Sequence, residues 1–473
     1  MTQTLTTGFT MTIGGKSVAG AGGFGVVNPA TGQVFAEAPD CSREQLDQAM
    51  AAAKAAGVSW RKDEDARRGA IKQAADALLT HTEDLAEVLS AEQGKPLKAA
   101  AYEITETARW LAATADLELP RTVLQDDASA YAEVVHRPLG VVAAITPWNF
   151  PLLLAGWKLG PALLAGNTVV IKPSPFTPLS TLRLGEIVAS VLPPGVVNAV
   201  SGGDDLGAWM TSHPAVRKIS FTGSVPTGKA VAAAAAPDLK RYTLELGGND
   251  AAIVLDDADV ATVERGLFWG AFINNGQICA GIKRIYVPER LHDELVEALA
   301  ARARSVRVGA GTEKGVQLGP IQNLPQFERV RGLVADALDN GAVAAAGGKP
   351  FDRDGYFFEP TILTGVAEGT RIVDEEQFGP ALPVIPYRDL DDAVERANNT
   401  DYGLSGSVWS PDLDRAAEVA ARFDSGTAFV NDHLALQPYL PFGGSKWSGV
   451  GVENGPWGLA EFTELQVIYR NRK

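Results

Sequence analysis

Past Tyr131 the chain alternates short apolar runs with helical stretches, and this alternation restricts its fold more than any other feature. Strand-like runs at Gly140–Ile145, Thr168–Ile171, Val216–Phe221 and Ala251–Leu255 are interleaved with helical stretches at Pro151–Leu164, Pro178–Val191, Pro226–Ala235 and Asp257–Phe272. Such a succession predicts βαβ units and a parallel sheet. A second alternation runs from Lys283 to about Val430 and includes Arg284–Val287, Leu291–Ala303 and Asp391–Ala397. The tail Glu464–Lys473 reads as one further strand. Ahead of Tyr131 the N-terminal part alternates structures weakly, and then helices dominate. Ser42-Arg-Glu-Gln45 has capping-box spacing and opens a helix through Ala56. Amphipathic stretches then cover Asp65–Leu79, Glu83–Gln93 and Ala99–Ala115. The expected class is α/β, two α/β layers with an extra strand system.

A parallel sheet binds ligands beyond the carboxyl ends of its strands, near a reversal of strand order. The groups following the apolar runs, Pro147-Trp-Asn-Phe-Pro151, Lys172-Pro-Ser174 and Thr222-Gly-Ser224, therefore read either as a ligand-facing rim or as ordinary turns. The nature of the ligand is narrowed by charge. With 42 basic and 57 acidic residues the net charge is −15, which argues against nucleic acid and anionic membrane surfaces. Met1–Lys16 lacks the pattern of a secretion signal. The uncharged stretch Pro138–Trp157 carries prolines that suit a strand and turn rather than a membrane helix. At 473 residues the chain has about three domains' worth of length. Cys41 and Cys279 can form at most one bridge, so a reducing, cytoplasmic setting is expected.

Some segments carry chemistry. Asn274-Asn-Gly-Gln-Ile-Cys279 sets a lone thiol in a polar turn; isolation alone favours an inert cysteine, while a reactive one needs access and a lowered thiolate pKa. Leu244-Glu-Leu-Gly-Gly248 places an acid inside an apolar strand, as a core ion-pair member or as a base of raised pKa. Phe221-Thr-Gly-Ser-Val-Pro-Thr-Gly228 joins a strand to a helix, where Gly223 permits a tight turn and free N–H groups can face phosphate. Lys172 either reaches ribose hydroxyls or is a solvated lysine. The histidines at 81, 136, 213, 292 and 433 are scattered, and no metal site is expected.

Taken in order, Pro147-Trp-Asn-Phe-Pro151, Gly166-Asn-Thr168, Lys172-Pro-Ser174, Phe221-Thr-Gly-Ser224, Leu244-Glu-Leu-Gly-Gly248, Gly276-Gln-Ile-Cys279, Glu376-Gln-Phe-Gly-Pro380 and Pro441-Phe-Gly-Gly-Ser-Lys446 resemble the aldehyde dehydrogenase superfamily, in its NAD(P)-dependent hydrolytic branch. The resemblance covers nearly the whole chain. It implies a Rossmann-like cofactor domain over 1–118 and 139–248, an α/β catalytic domain over 249–448, and oligomerisation strands over 119–138 and 462–473. It implies that Cys279 attacks an aldehyde, that the Asn149 amide and the Cys279 N–H hold the oxyanion, and that Glu245 activates water against a thioester. Cofactor contacts carry over to Trp148, Lys172, Ser174, Gly223, Ser224, Gly247, Glu376 and Phe378. Lys158 and Glu453 stand where some members have a proton-relay pair; as residue types they also read as surface charges.

Many NAD-preferring members carry Glu three positions after the lysine, where this chain has Pro175. The expected cofactor is NAD, with NADP left open. Phe150, Leu154, Trp157, Ile278 and Phe442 are expected to line the substrate entrance, which suits an aromatic or medium-chain aldehyde. A semialdehyde dehydrogenase and a CoA-acylating relative are the alternatives; Glu245 speaks against the second. The segments Ala130–Arg137 and Glu464–Lys473 imply a homodimer or a homotetramer.

Overall fold

The computed structural model describes residues 8–473. The first seven positions of the range 1–118, and of the segment read as free of a secretion signal, lie outside the described residues.

Three runs of the first alternation join five other strands in an eight-stranded sheet, in the order Lys16–Val18, Met11–Ile13, Val197–Ala199, Thr168–Lys172, Val141–Ile145, Val216–Thr222, Arg241–Glu245, Gly449–Val450. The fourth run, Ala251–Leu255, falls instead in the strand Asp250–Val254 of the second sheet, the chain passing from one sheet to the other over residues 246–249. The strands from Val197 across to Glu245 are mutually parallel. Val141–Ile145 and Thr168–Lys172 are buried at every position. That is the pattern of a sheet covered on both faces, and it explains their unbroken apolar sequence. From Val141–Ile145 the chain steps outward through Thr168 to Val197, then returns to the opposite side at Val216–Thr222. Strand order therefore reverses between Ile145 and Phe221, which are register partners. The predicted rim groups emerge at this reversal.

The second alternation forms a seven-stranded sheet, in the order Val343–Ala346, Thr361–Thr364, Ala381–Tyr387, Ile282–Pro288, Asp250–Val254, Ser405–Trp409, Thr427–Val430. Its strand Asp250–Val254 sorts by alternate residues: Ala251 and Ile253 pack into one apolar cluster, Ala252 and Val254 into another on the opposite face. The tail strand Thr463–Asn471 pairs antiparallel with Ala130–Pro138 along its full length, and Thr122–Asp126 flanks the pair. On the outer strand Leu465, Val467 and Tyr469 are each more than 60% exposed.

The capping box at Ser42 and Gln45 is formed in both directions, and its helix runs Arg43–Trp60, longer than its periodicity suggested. The helix Val260–Phe272 begins later than expected because Asp259, not Asp257, accepts the capping bond from Thr262 N–H. Among the described residues no helix is long and apolar enough to cross a membrane.

Candidate active site

A cavity of about 1180 Å³ opens between the carboxyl ends of the first sheet and the amino ends of the second. Trp148, Lys172, Ser174, Gly223, Ser224, Gly247, Glu376 and Phe378 all line it, together with Asn149 and Cys279. Their placement follows from local structure. Ser224 ends the turn after Val216–Thr222 and caps the helix Val225–Ala235, accepting from Thr227 N–H at 3.4 Å. The first turn of that helix faces the cavity, a ready anion-binding surface. A Cβ on Gly247 would lie 2.2 Å from Glu376 Oε2, so only glycine allows Glu376 to close over this strand end. Glu376 Oε1 accepts from Gly248 N–H at 3.0 Å, and desolvation pushes its carboxyl up to about 7. Phe378, at φ +49, meets the edge of Trp148 with 5.2 Å between ring centroids. Lys172 is buried, so it is not a solvated lysine; desolvation lowers its ammonium to about 8, opposed by Asp204 and Asp40. This cradle of strand-end glycines, capped helix and buried lysine fits a dinucleotide.

Cys279 is reached through three successive left-handed residues, Asn274, Asn275 and Gly276, at φ +52, +59 and +73. Asparagine tolerates this region, but a Cβ at Gly276 would fall 2.3 Å from Gly379 O. Behind the turn, Lys283 Nζ donates to Ile278 O at 2.6 Å. The thiol is half-buried, and no lowered pKa results: desolvation first, then Glu245, Glu376 and Asp250, push it up to about 12, with Lys283 alone opposing.

Asn149 is held on both sides. Its Nδ2 donates to Gln277 O at 3.0 Å, and its backbone carbonyl accepts from Lys95 Nζ at 2.9 Å and Asn274 Nδ2 at 3.0 Å. Lys95 also pairs with Glu103 Oε2 at 2.5 Å. Glu103 Oε1 accepts from the N–H groups of Leu152 and Leu153, capping the helix Pro151–Leu164, whose own N-cap, Phe150, provides no side-chain acceptor. Lys95 and Glu103 were missed in the sequence. Glu103 sits on the buried stripe of the helix Leu97–Ala115 beside Ala100 and Ile104, and an acid on an apolar stripe was the available signal.

Glu245 ends the strand Arg241–Glu245 and is buried, yet among the described residues neither carboxylate oxygen has a hydrogen-bond partner. Burial raises its pKa well above the usual carboxylate range, reinforced by Glu453 and opposed by Lys158. Lys158 and Glu453 are not surface charges. They are fully buried and paired at 2.6 Å, with Lys158 also donating to Thr222 Oγ1 at 2.8 Å and Ser220 Oγ to Glu453 Oε1 at 3.2 Å.

Phe150, Leu154, Trp157 and Phe442 form one apolar cluster against Cys279. Ile278 is buried but stands outside it. The cluster also takes in Trp110, Leu404, Leu434 and Leu436, which no local pattern marked. Trp110 stacks on Trp157 at 5.7 Å, and Phe442 meets Trp157 edge-on at 5.6 Å.

Comparison with known proteins agrees with this geometry. The model of the aldehyde dehydrogenase family matches residues 18–468. Retinaldehyde dehydrogenase 3 of Mus musculus is 39% identical over 456 residues, 94% of this chain and 89% of that protein. An NAD+ complex of aldehyde dehydrogenase from Bacillus cereus superposes with a TM-score of 0.97 at 36% identity, covering 99% of this chain and 98% of that one. Betaine aldehyde dehydrogenase from Staphylococcus aureus, in complex with NAD+, gives 0.95 at 32% identity, covering 98% and 95%. With the family model matched over residues 18–468 and its fold superposing over nearly the whole length, the chain belongs to the aldehyde dehydrogenase family.

Proposed function

We propose that the protein oxidises an aromatic or medium-chain apolar aldehyde to its carboxylate with NAD, through a thioester on Cys279. The observation carrying this reading is the meeting of Cys279, Asn149 and all eight expected cofactor residues in a single cavity. Residues 1–118 and 139–248 form the cofactor-binding part, 249–448 the catalytic part, and 119–138 with 462–473 the oligomerisation strands. The exposed apolar row Leu465, Val467 and Tyr469 on an edge strand supports a homodimer or a dimer of dimers, since an unpaired edge invites pairing. Two free cysteines suit a cytoplasmic location.

Lys172 holds the adenosine ribose, Ser174 borders it, and Trp148, Gly223 and Ser224 frame the pyrophosphate. Gly247, Glu376 and Phe378 border the nicotinamide end. The chemistry a nicotinamide dinucleotide supplies there is hydride acceptance, which turns a hemithioacetal into a thioester. The chain's own residues do the rest. Cys279 Sγ bonds to the aldehyde carbon, and its proton passes to Glu245, whose raised pKa makes it an adequate acceptor. Asn149 Nδ2 spends one N–H on Gln277 O and keeps a second for the developing oxyanion, beside the Cys279 N–H. Once Glu245 has passed that first proton to solvent, it takes one from the water that attacks the thioester carbon. The C–S bond breaks, the Cys279 thiolate leaves and recovers the proton from Glu245, and the acid departs as carboxylate with its own proton going to solvent.

The aromatic cluster of Trp110, Trp157 and Phe442 supports an apolar substrate over a charged semialdehyde. Turnover is tested with a panel of aromatic, aliphatic and charged aldehydes, run with NAD and NADP and followed by absorbance of the reduced cofactor. Acid product without CoA is expected. Thioester formed only when CoA is present, or a preference for succinate semialdehyde, contradicts the proposal.

A further inference from the structure

The carboxylate missing at position 175 has a counterpart on another element. The helix Asp204–Ser212 follows the strand Val197–Ala199, and its residues Asp204, Gly207, Ala208 and Thr211 line the large cavity. Spacings of three, four and seven put these residues on one helical face. Asp205, the next residue, does not line the cavity. A Cβ on Gly207 would stand 4.0 Å from Lys172 Cε, so the lysine stem lies against the first turn, which Asp204 opens. Asp204 is exposed, and its charge acts on the Lys172 ammonium.

We propose that Asp204 selects NAD over NADP, supplying from this helix the acceptor for the ribose 2′-hydroxyl that Pro175 cannot. The inference rests on reading the cavity as a dinucleotide site with adenosine at Lys172. A carboxylate there accepts from the 2′-hydroxyl and repels a 2′-phosphate. The cations lining the cavity, among the described residues, offer that phosphate no welcome. Lys172 already lies in the field of Asp204 and Asp40. Arg329 belongs to the Glu376 end, where it donates to Glu376 O at 3.0 Å and pairs with Glu375.

The test is binding, measured without aldehyde by titrating NADH and NADPH against the intact protein and reading nicotinamide fluorescence. The parent protein is expected to favour NADH by about tenfold to a hundredfold, the scale of one like-charge contact near a protein surface. Asp204→Asn keeps the shape, so its preference should fall by about tenfold or more, through tighter NADPH and weaker NADH binding. Asp205→Asn has the same formal charge change one position away and should leave the ratio within about twofold. An unchanged ratio in Asp204→Asn, or equal shifts in the two variants, overturns the assignment. Failure of the parent protein to bind either dinucleotide would instead sink the dinucleotide reading itself.

Discussion

Asn149 and Glu245 are two buried polar groups of one site, each only 3% exposed, and they are treated in opposite ways. Asn149 is bonded on both its amide and its carbonyl, with Lys95 and Glu103 bracing it from behind. Glu245 has no partner among the described residues on either oxygen. A donor that must meet charge as it develops gains from being fixed in advance. A base that must take up a proton gains from being unsatisfied, and it stays so at a cost of about 1–3 kcal/mol or more in stability. The contrast separates groups that hold still from groups that react.

The widest test of the contrast is at Glu245. Glu245→Gln should lower steady-state turnover by about 10²–10⁴-fold, while a burst of reduced cofactor, slowed by loss of the thiol's proton acceptor and quickened by more basic buffer, precedes it and added mass accumulates on the Cys279 peptide. Glu245→Leu should be as inactive and yet unfold at a higher temperature, because an unpartnered carboxyl is replaced by an apolar group. Unchanged turnover in Glu245→Gln would remove the glutamate from the mechanism.

At Glu103 the stability effect should have the opposite sign. Glu103→Gln leaves the Lys95 ammonium buried without its counter-charge, a loss of about 3–5 kcal/mol. A small displacement of Asn149 should cost turnover up to about 10²-fold. Chemical denaturation and kcat measured together check both. Full activity and full stability would show that the brace is dispensable.

The resting thiol gives a smaller and graded effect. With its pKa pushed up to about 12, thiolate is scarce at neutral pH and grows as pH rises. Iodoacetamide labelling of Cys279 in the cofactor-free protein should therefore quicken about tenfold per pH unit from 7 to 10. A plateau near pH 8 would mean that the thiol is already activated. Smallest of all, Trp110→Leu should raise KM for an aromatic aldehyde about fivefold with kcat nearly kept, since the ring packs on the pocket wall without touching the reacting atoms. Equal loss in kcat and kcat/KM would assign Trp110 a part in the chemistry.

Much of this contrast could be read in the sequence, but unevenly. Three strands of the first sheet, Val141–Ile145, Thr168–Lys172 and Val216–Thr222, were legible to within one residue, since continuous apolar runs have a local signature, whereas the short strands Met11–Ile13, Lys16–Val18, Val197–Ala199 and Gly449–Val450 were not read. Strand-end glycines and the helix-capping Ser224 are local too, so the cofactor residues could be gathered before any fold was known. Pairings across long separations have no such mark. Lys158 and Glu453 lie 295 positions apart, and a charged residue read alone defaults to the surface. Trp110, Leu404 and Leu434 join the pocket from three distant segments, each looking like ordinary core. The hairpin of Gly22–Asn28 with Gln33–Asp40 went unread because its glycines and alanines blur the two-residue alternation.

The acidic surroundings of Cys279 also bear on how the protein ages. Peroxide attacks thiolates, and sulfinic and sulfonic products do not revert under ordinary reduction. Cys41, the other thiol, is buried and likewise pushed up to about 12. A stored, substrate-free molecule thus offers oxidants little thiolate at neutral pH. Damage should accrue per catalytic cycle rather than per hour on the shelf, so inactivation by dilute peroxide should track the number of turnovers completed.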